Sequence, residues 1–180
     1  MTVRPSWDEY FLLLAKIIST RSTCLSRPSG AVVVRDKRIL ATGYNGSMPG
    51  VKHCLDEGKC FRRSINAPEH DKYNFCRSIH AEANAIAYAS RMGVSLNGAT
   101  LYTTLAPCFV CLKLLVNAGI KKVFYELPYK SKDKERDNFW LEQIKEVGLE
   151  SECLVLSDST KSLAVNSIQS ITSQRRLKSV

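Results

Sequence analysis

Two short segments constrain the fold of this 180-residue chain more than any other feature: His80-Ala81-Glu82, and Pro107-Cys108-Phe109-Val110-Cys111 some two dozen positions later. Each opens a helix-patterned run, His80–Arg91 before Gly93 and Cys108–Ala118 before Gly119. Cys108 and Cys111 share one helix face a turn apart. Pro107 suits a first helical turn, where its missing N–H costs nothing. A fold that joins the two helix starts supplies two thiols and an imidazole, three ligands for a tetrahedral metal with a fourth position left for water. Helix N-termini also favour thiolates through their partial positive charge. Glu82, two residues from the imidazole, reaches that water rather than the metal and can carry its protons. A C-x-x-C alone is often a structural or redox pair, and a lone histidine is usually only packed. The ordered combination, each half at a helix start, points to catalysis.

Around these segments the pattern predicts an α/β chain. A helix over residues 6–19 starts at Ser6, with Glu9 three places on as a capping box. Ala31–Arg35 and Arg38–Tyr44 read as a hairpin around Asp36-Lys37. Thr100–Thr104, Lys121–Glu126 and Cys153–Leu156 read as strands, and Lys134–Val147 as a helix before Gly148. Strand alternating with helix implies parallel pairing in the second half, and the hairpin makes the sheet mixed. One domain over residues 1–157 is expected, with a tail over 158–180. The stretch 45–79 has little periodicity yet carries Cys54, Cys60, Cys76, His53 and His70, and a connection that long needs a staple.

Lys and Arg number 26 against 17 Asp and Glu, a net +9, of which the tail contributes +3 through Lys161, Arg175, Arg176 and Lys178 against Asp158. The body is therefore basic and attracts anions without choosing among them. The apolar run 11–18 is interrupted by Lys16 and too short for a membrane span, and Asp8 and Glu9 oppose a signal peptide. A cytoplasmic protein is expected, in which seven cysteines are thiols or metal ligands rather than disulfides.

The order H-x-E…P-C-x-x-C resembles the signature of zinc-dependent nucleobase deaminases. The segments HAEANAI and PCFVC resemble the cytidine deaminase superfamily. Ser22-Thr23-Cys24, Gly30-Ala31-Val32, Gly43-Tyr44-Asn45-Gly46, Cys76-Arg77 and Ala118-Gly119-Ile120-Lys121 narrow the resemblance to the deoxycytidylate deaminase branch, which includes bacterial competence-operon members. The resemblance covers about residues 8–157. It implies a three-layer α/β/α fold with a five-stranded mixed sheet, Zn2+ on His80, Cys108 and Cys111, and Glu82 as the proton carrier. The implied reaction converts deoxycytidine monophosphate to deoxyuridine monophosphate and ammonia. It further implies that Asn45 hydrogen-bonds the sugar, that the backbone around Ala31 meets the base, and that Tyr129 borders the nucleotide. A second, structural Zn2+ on Cys24, Cys54, Cys60 and Cys76, with His70 in reserve, would staple the excursion. A homohexamer activated by deoxycytidine triphosphate and inhibited by thymidine triphosphate is implied as well, with Mg2+ accompanying the effectors.

Rival readings are a deaminase acting on tRNA or single-stranded DNA, an enzyme of vitamin synthesis acting on a pyrimidine precursor, and a non-catalytic zinc scaffold. No aromatic-basic interleaving of the kind that grips single strands is evident, so nucleic acid is not an expected partner. Glu82 opposes the scaffold, because a structural zinc site has no use for it. Arg27, Lys130 and Lys132 are phosphate candidates by charge alone.

Overall fold

The computed structural model describes residues 4–68, 73–129 and 134–166. The first helix, α1 (Trp7–Ser19), begins with the expected capping box: the Ser6 hydroxyl accepts from the Glu9 N–H, and the Glu9 carboxylate accepts from the Ser6 N–H. Strands β1 (Gly30–Arg35) and β2 (Arg38–Tyr44) form the hairpin. Asp36 and Lys37 both take left-handed backbone, φ 51° and 59°, as a tight hairpin turn requires.

The excursion is bracketed by two very short strands, β3 (Gly46–Ser47) and β4 (Ser78–Ile79), paired antiparallel. Between them lies one helical turn, α2 (Phe61–Ser64). Then follow α3 (Ala81–Arg91), β5 (Thr100–Leu105), α4 (Phe109–Asn117), β6 (Lys122–Leu127), α5 (Lys134–Glu146) and β7 (Glu150–Cys153). Residues 158–166 are helical.

The five-stranded sheet runs β2-β1-β5-β6-β7. Its β2-β1-β5 half is antiparallel and its β5-β6-β7 half parallel, so the sheet is mixed as expected. Alternation sorts the side chains to two faces. Val32, Val34, Tyr102 and Phe124 meet Phe11, Leu12 and Ala15 of α1. Ala31, Val33, Leu101 and Val123 meet Ala81, Ala85 and Ala89 of α3, Leu112 and Leu115 of α4 and Ile144 of α5. Leu12, Leu101 and Leu115 are fully buried, each burial favouring the folded state by about 1.5–3 kcal/mol.

The last strand departs from expectation. Pairing occupies Glu150–Cys153, whose side chains are all exposed, and not 153–156. Glu150 and Glu152 lie 3.5 and 3.1 Å from Lys122 Nζ, a charged edge of the kind that discourages further strand addition. The apolar Leu154 and Leu156 belong to the chain as it leaves the sheet, and Leu156 closes the core on the α1 face. Among the described residues, no helix is long and apolar enough to cross a membrane.

Candidate active site

His80 and Cys108 occupy the N-cap positions of α3 and α4, both with extended backbone and neither capping its helix with its side chain. The imidazole and the thiol are thus free to turn toward each other. Pro107 is one position earlier than its type suggested, ahead of the N-cap rather than in the first turn. There its fixed φ shapes the entry from β5. Cys111, 2% exposed, points inward from the first turn of α4.

His80 Nδ1 lies 3.4 Å from both Cys108 Sγ and Cys111 Sγ. A tetrahedral zinc with ordinary Zn–N and Zn–S lengths places its nitrogen and sulfur ligands about 3.5 Å apart. The donor set therefore fits zinc in type and spacing. Among the described residues it is the one group of three or more potential ligands whose atoms lie within 4.8 Å of one another.

The electrostatics agree. Cys108 is the more acidic thiol of the pair: a hydrogen bond with Cys111 and another with His80 lower it well below the usual thiol range, against the opposing effect of burial. Cys111 is pushed up by its hydrogen bond to Cys108, by burial and by the Glu82 charge. The His80 imidazole is raised, chiefly by its hydrogen bond with Cys108. Two thiolates beside a carboxylate need a cation to coexist. Glu82 is 5% exposed, and burial above all raises its carboxyl. A buried carboxyl raised in this way holds a proton more readily than an exposed one, which suits a group that must accept a proton and return it.

The other expected residues lie as follows. Ala31 is fully buried in β1, in register with Gly43 and Thr103, and shares a core with Ala81 of α3. Asn45, 7% exposed, ties a loop together: its Oδ1 accepts from Ser22 Oγ at 2.6 Å and Ser29 N–H at 2.8 Å, and its Nδ2 donates to Arg27 O at 2.8 Å. Among the described residues, one Nδ2 hydrogen is left for a ligand. The Tyr129 hydroxyl is pushed up to about 12 by burial and a hydrogen bond with Tyr73.

Cys76 is raised chiefly by burial, with smaller contributions from the charges of Cys24 and Cys60. The Leu55 N–H donates to Thr23 O at 3.2 Å, bringing the buried Cys54 segment alongside Cys24. The four cysteines do not close to the spacing of the His80 set. His70, Lys130 and Lys132 lie outside the described residues. His53, noted in the sequence as part of the excursion but given no role there, has its Nδ1 buried without a hydrogen-bond partner among the described residues. Its place beside Cys54 was the available signal.

Residues 5–127 match the family described as the cytidine and deoxycytidylate deaminase zinc-binding region. The chain is 44% identical over 128 residues to ComE operon protein 2 of Bacillus subtilis, covering 71% of this chain and 63% of that one. It is 40% identical over 126 residues to the deoxycytidylate deaminase of Schizosaccharomyces pombe, covering 70% of this chain and 38% of that protein. It is 44% identical over 127 residues to the deoxycytidylate deaminase of Mycobacterium phage D29, covering 68% of this chain and 95% of the phage protein. Among solved structures, the dCMP deaminase of cyanophage S-TIM5 in complex with dCMP and dUMP superposes with a TM-score of 0.63 at 28% identity, covering 84% of this chain and 99% of that one.

Proposed function

We propose that this chain, which belongs to the cytidine and deoxycytidylate deaminase zinc-binding family, hydrolyses deoxycytidine monophosphate to deoxyuridine monophosphate and ammonia. The observation that carries the reading is the buried Glu82 two residues from His80, beside a His-Cys-Cys set spaced for zinc. His80, Cys108 and Cys111 hold the ion, which when bound supplies a water nucleophile at neutral pH.

Glu82 takes one proton from the attacking water and passes it to the ring nitrogen as the C4–O bond forms. It then moves the second water proton to the amino group, and the C4–N bond breaks to release ammonia and leave the uracil carbonyl. The buried backbone near Ala31 faces the base, Tyr129 borders the nucleotide, and the remaining Asn45 N–H meets the sugar. Arg27, whose carbonyl Asn45 holds, supplies charge for the phosphate.

The second zinc is assigned to Cys24, Cys54, Cys60 and Cys76, where it would staple the bracketed excursion. Self-assembly toward a hexamer is supported by exposed apolar side chains on neighbouring helices, Tyr88 of α3 and Met92 at its C-cap, and Val110 and Leu114 of α4. The same reading makes deoxycytidine triphosphate an activator and thymidine triphosphate an inhibitor, each with Mg2+, and the enzyme cytoplasmic. Ammonia release across deoxycytidine, its mono- and triphosphate, cytidine monophosphate and a short single strand tests the substrate. Preference for the deoxymonophosphate is expected, and turnover confined to the strand would reject the reading.

A further inference from the structure

We infer that Gly43 is a positioning residue that sets the depth of the catalytic helix α3 against the sheet. Gly43 is buried near the end of β2, and no left-handed backbone calls for glycine there. Space calls for it instead. A Cβ at this position would stand 2.1 Å from Ala81 O, 2.6 Å from Ala85 N and 3.2 Å from Ala81 C. The first two separations are far inside van der Waals contact, and every atom is backbone, so no side chain can swing aside to make room.

The residue in contact matters because Ala81 lies between His80 and Glu82. Its carbonyl rests on the Gly43 Cα, so the metal ligand and the proton carrier on either side inherit their position from that contact. A second tie acts across the first: Asn84 Nδ2 donates to Tyr44 O at 2.8 Å and fixes α3 along the strand. The other half of the donor set, Cys108 and Cys111, rides on α4, whose Leu112 and Leu115 pack in the same core, while the three atoms nearest a Gly43 Cβ all belong to α3. Any side chain at residue 43 therefore moves His80 and Glu82 relative to the two thiols.

This inference rests on the proposed activity, and the experiment separates the two. Wild type, Gly43→Ala, Asn84→Ala and Gly119→Ala are compared for zinc-supported turnover of deoxycytidine monophosphate, thermal stability and the visible spectrum of the Co2+-loaded protein. Gly119→Ala is the control for lost stability alone: a Cβ there meets Asn97 Oδ1 at 2.6 Å with the backbone at φ 82°, at the end of α4 remote from the ligands. A displacement of the order of 1 Å in reacting groups can cost about 10²-fold in rate, so kcat of Gly43→Ala should fall by that order with KM changed far less. Its Co2+–thiolate bands should shift, and Asn84→Ala should show a smaller loss of the same kind. Gly119→Ala should lose stability while keeping kcat and spectrum. Wild-type turnover decides the activity by itself; the Co2+ spectra decide the role of Gly43 even without turnover. Wild-type spectra in Gly43→Ala, or in Asn84→Ala should Gly43→Ala not fold, would overturn the inference. So would spectral shifts of equal size in Gly119→Ala.

Discussion

Glu9 and Thr160 are 151 positions apart, yet the Thr160 hydroxyl donates to Glu9 Oε1 at 3.0 Å, beside the Ser157 N–H at 2.9 Å. One carboxylate thus caps its own helix with one oxygen and anchors the start of the 158–166 helix with the other. Hydrogen bonds from Ser157, its hydroxyl and then its backbone N–H, with help from Ser6 and Thr160, hold this carboxyl at about 2, below the ordinary 4.5.

Stability should respond to pH through Glu9 accordingly. The depressed carboxyl stabilises the fold fully above about pH 4.5 and loses that effect as pH falls toward about 2. Glu9→Gln should cost about 1 kcal/mol at neutral pH once solvent screening is allowed for, or about 2–4 °C in Tm. Thermal melts of both proteins should converge near pH 2; a constant gap across the range would refute the assignment.

Glu82→Gln should retain the metal and lose turnover. The amide fills the same volume but cannot cycle a proton, and such transfers contribute about 10²–10⁴-fold. Ammonia release beside metal analysis measures both, and near-normal kcat in this variant would sink the mechanism.

Two zinc ions per chain are expected. Cys24→Ser or Cys54→Ser should lower the content by one and destabilise the fold, while Cys108→Ser should abolish activity with less effect on folding. Metal analysis returning one ion in the wild type would end the second site.

Val110, 63% exposed on α4, tests the assembly face. Val110→Lys should shift light scattering toward smaller species, and an unchanged mass would exclude this surface. Substrate saturation curves with each triphosphate test the control: neither a rise with deoxycytidine triphosphate nor a fall with thymidine triphosphate would reject it.

Much of the scaffold was legible because its signals are local. The Ser6–Glu9 box, the alternation through Val32 and Val34, and the paired helix starts at His80 and Cys108 each lie within a few residues. What was hidden depends on partners distant in sequence. Two-residue strands such as β3 and β4 have no period to detect. Leu154 and Leu156 carry a strand's apolarity but spend it on the α1 face. Asn45 before Gly46 reads as a plain turn until Ser22, Ser29 and Arg27 surround its carboxamide. The need for glycine at 43 exists only once α3 lies on it.

The order of these parts along the chain has its own consequence. Gly43, Tyr44, His80, Glu82, Asn84, Cys108 and Cys111 all precede residue 112, whereas β6, α5 and β7 follow it. During synthesis the donors and the glycine that seats them leave the ribosome ahead of β6 and β7, the last two strands of the sheet. Every ligand of the His80 set is thus present on the nascent chain before the strands that complete the sheet.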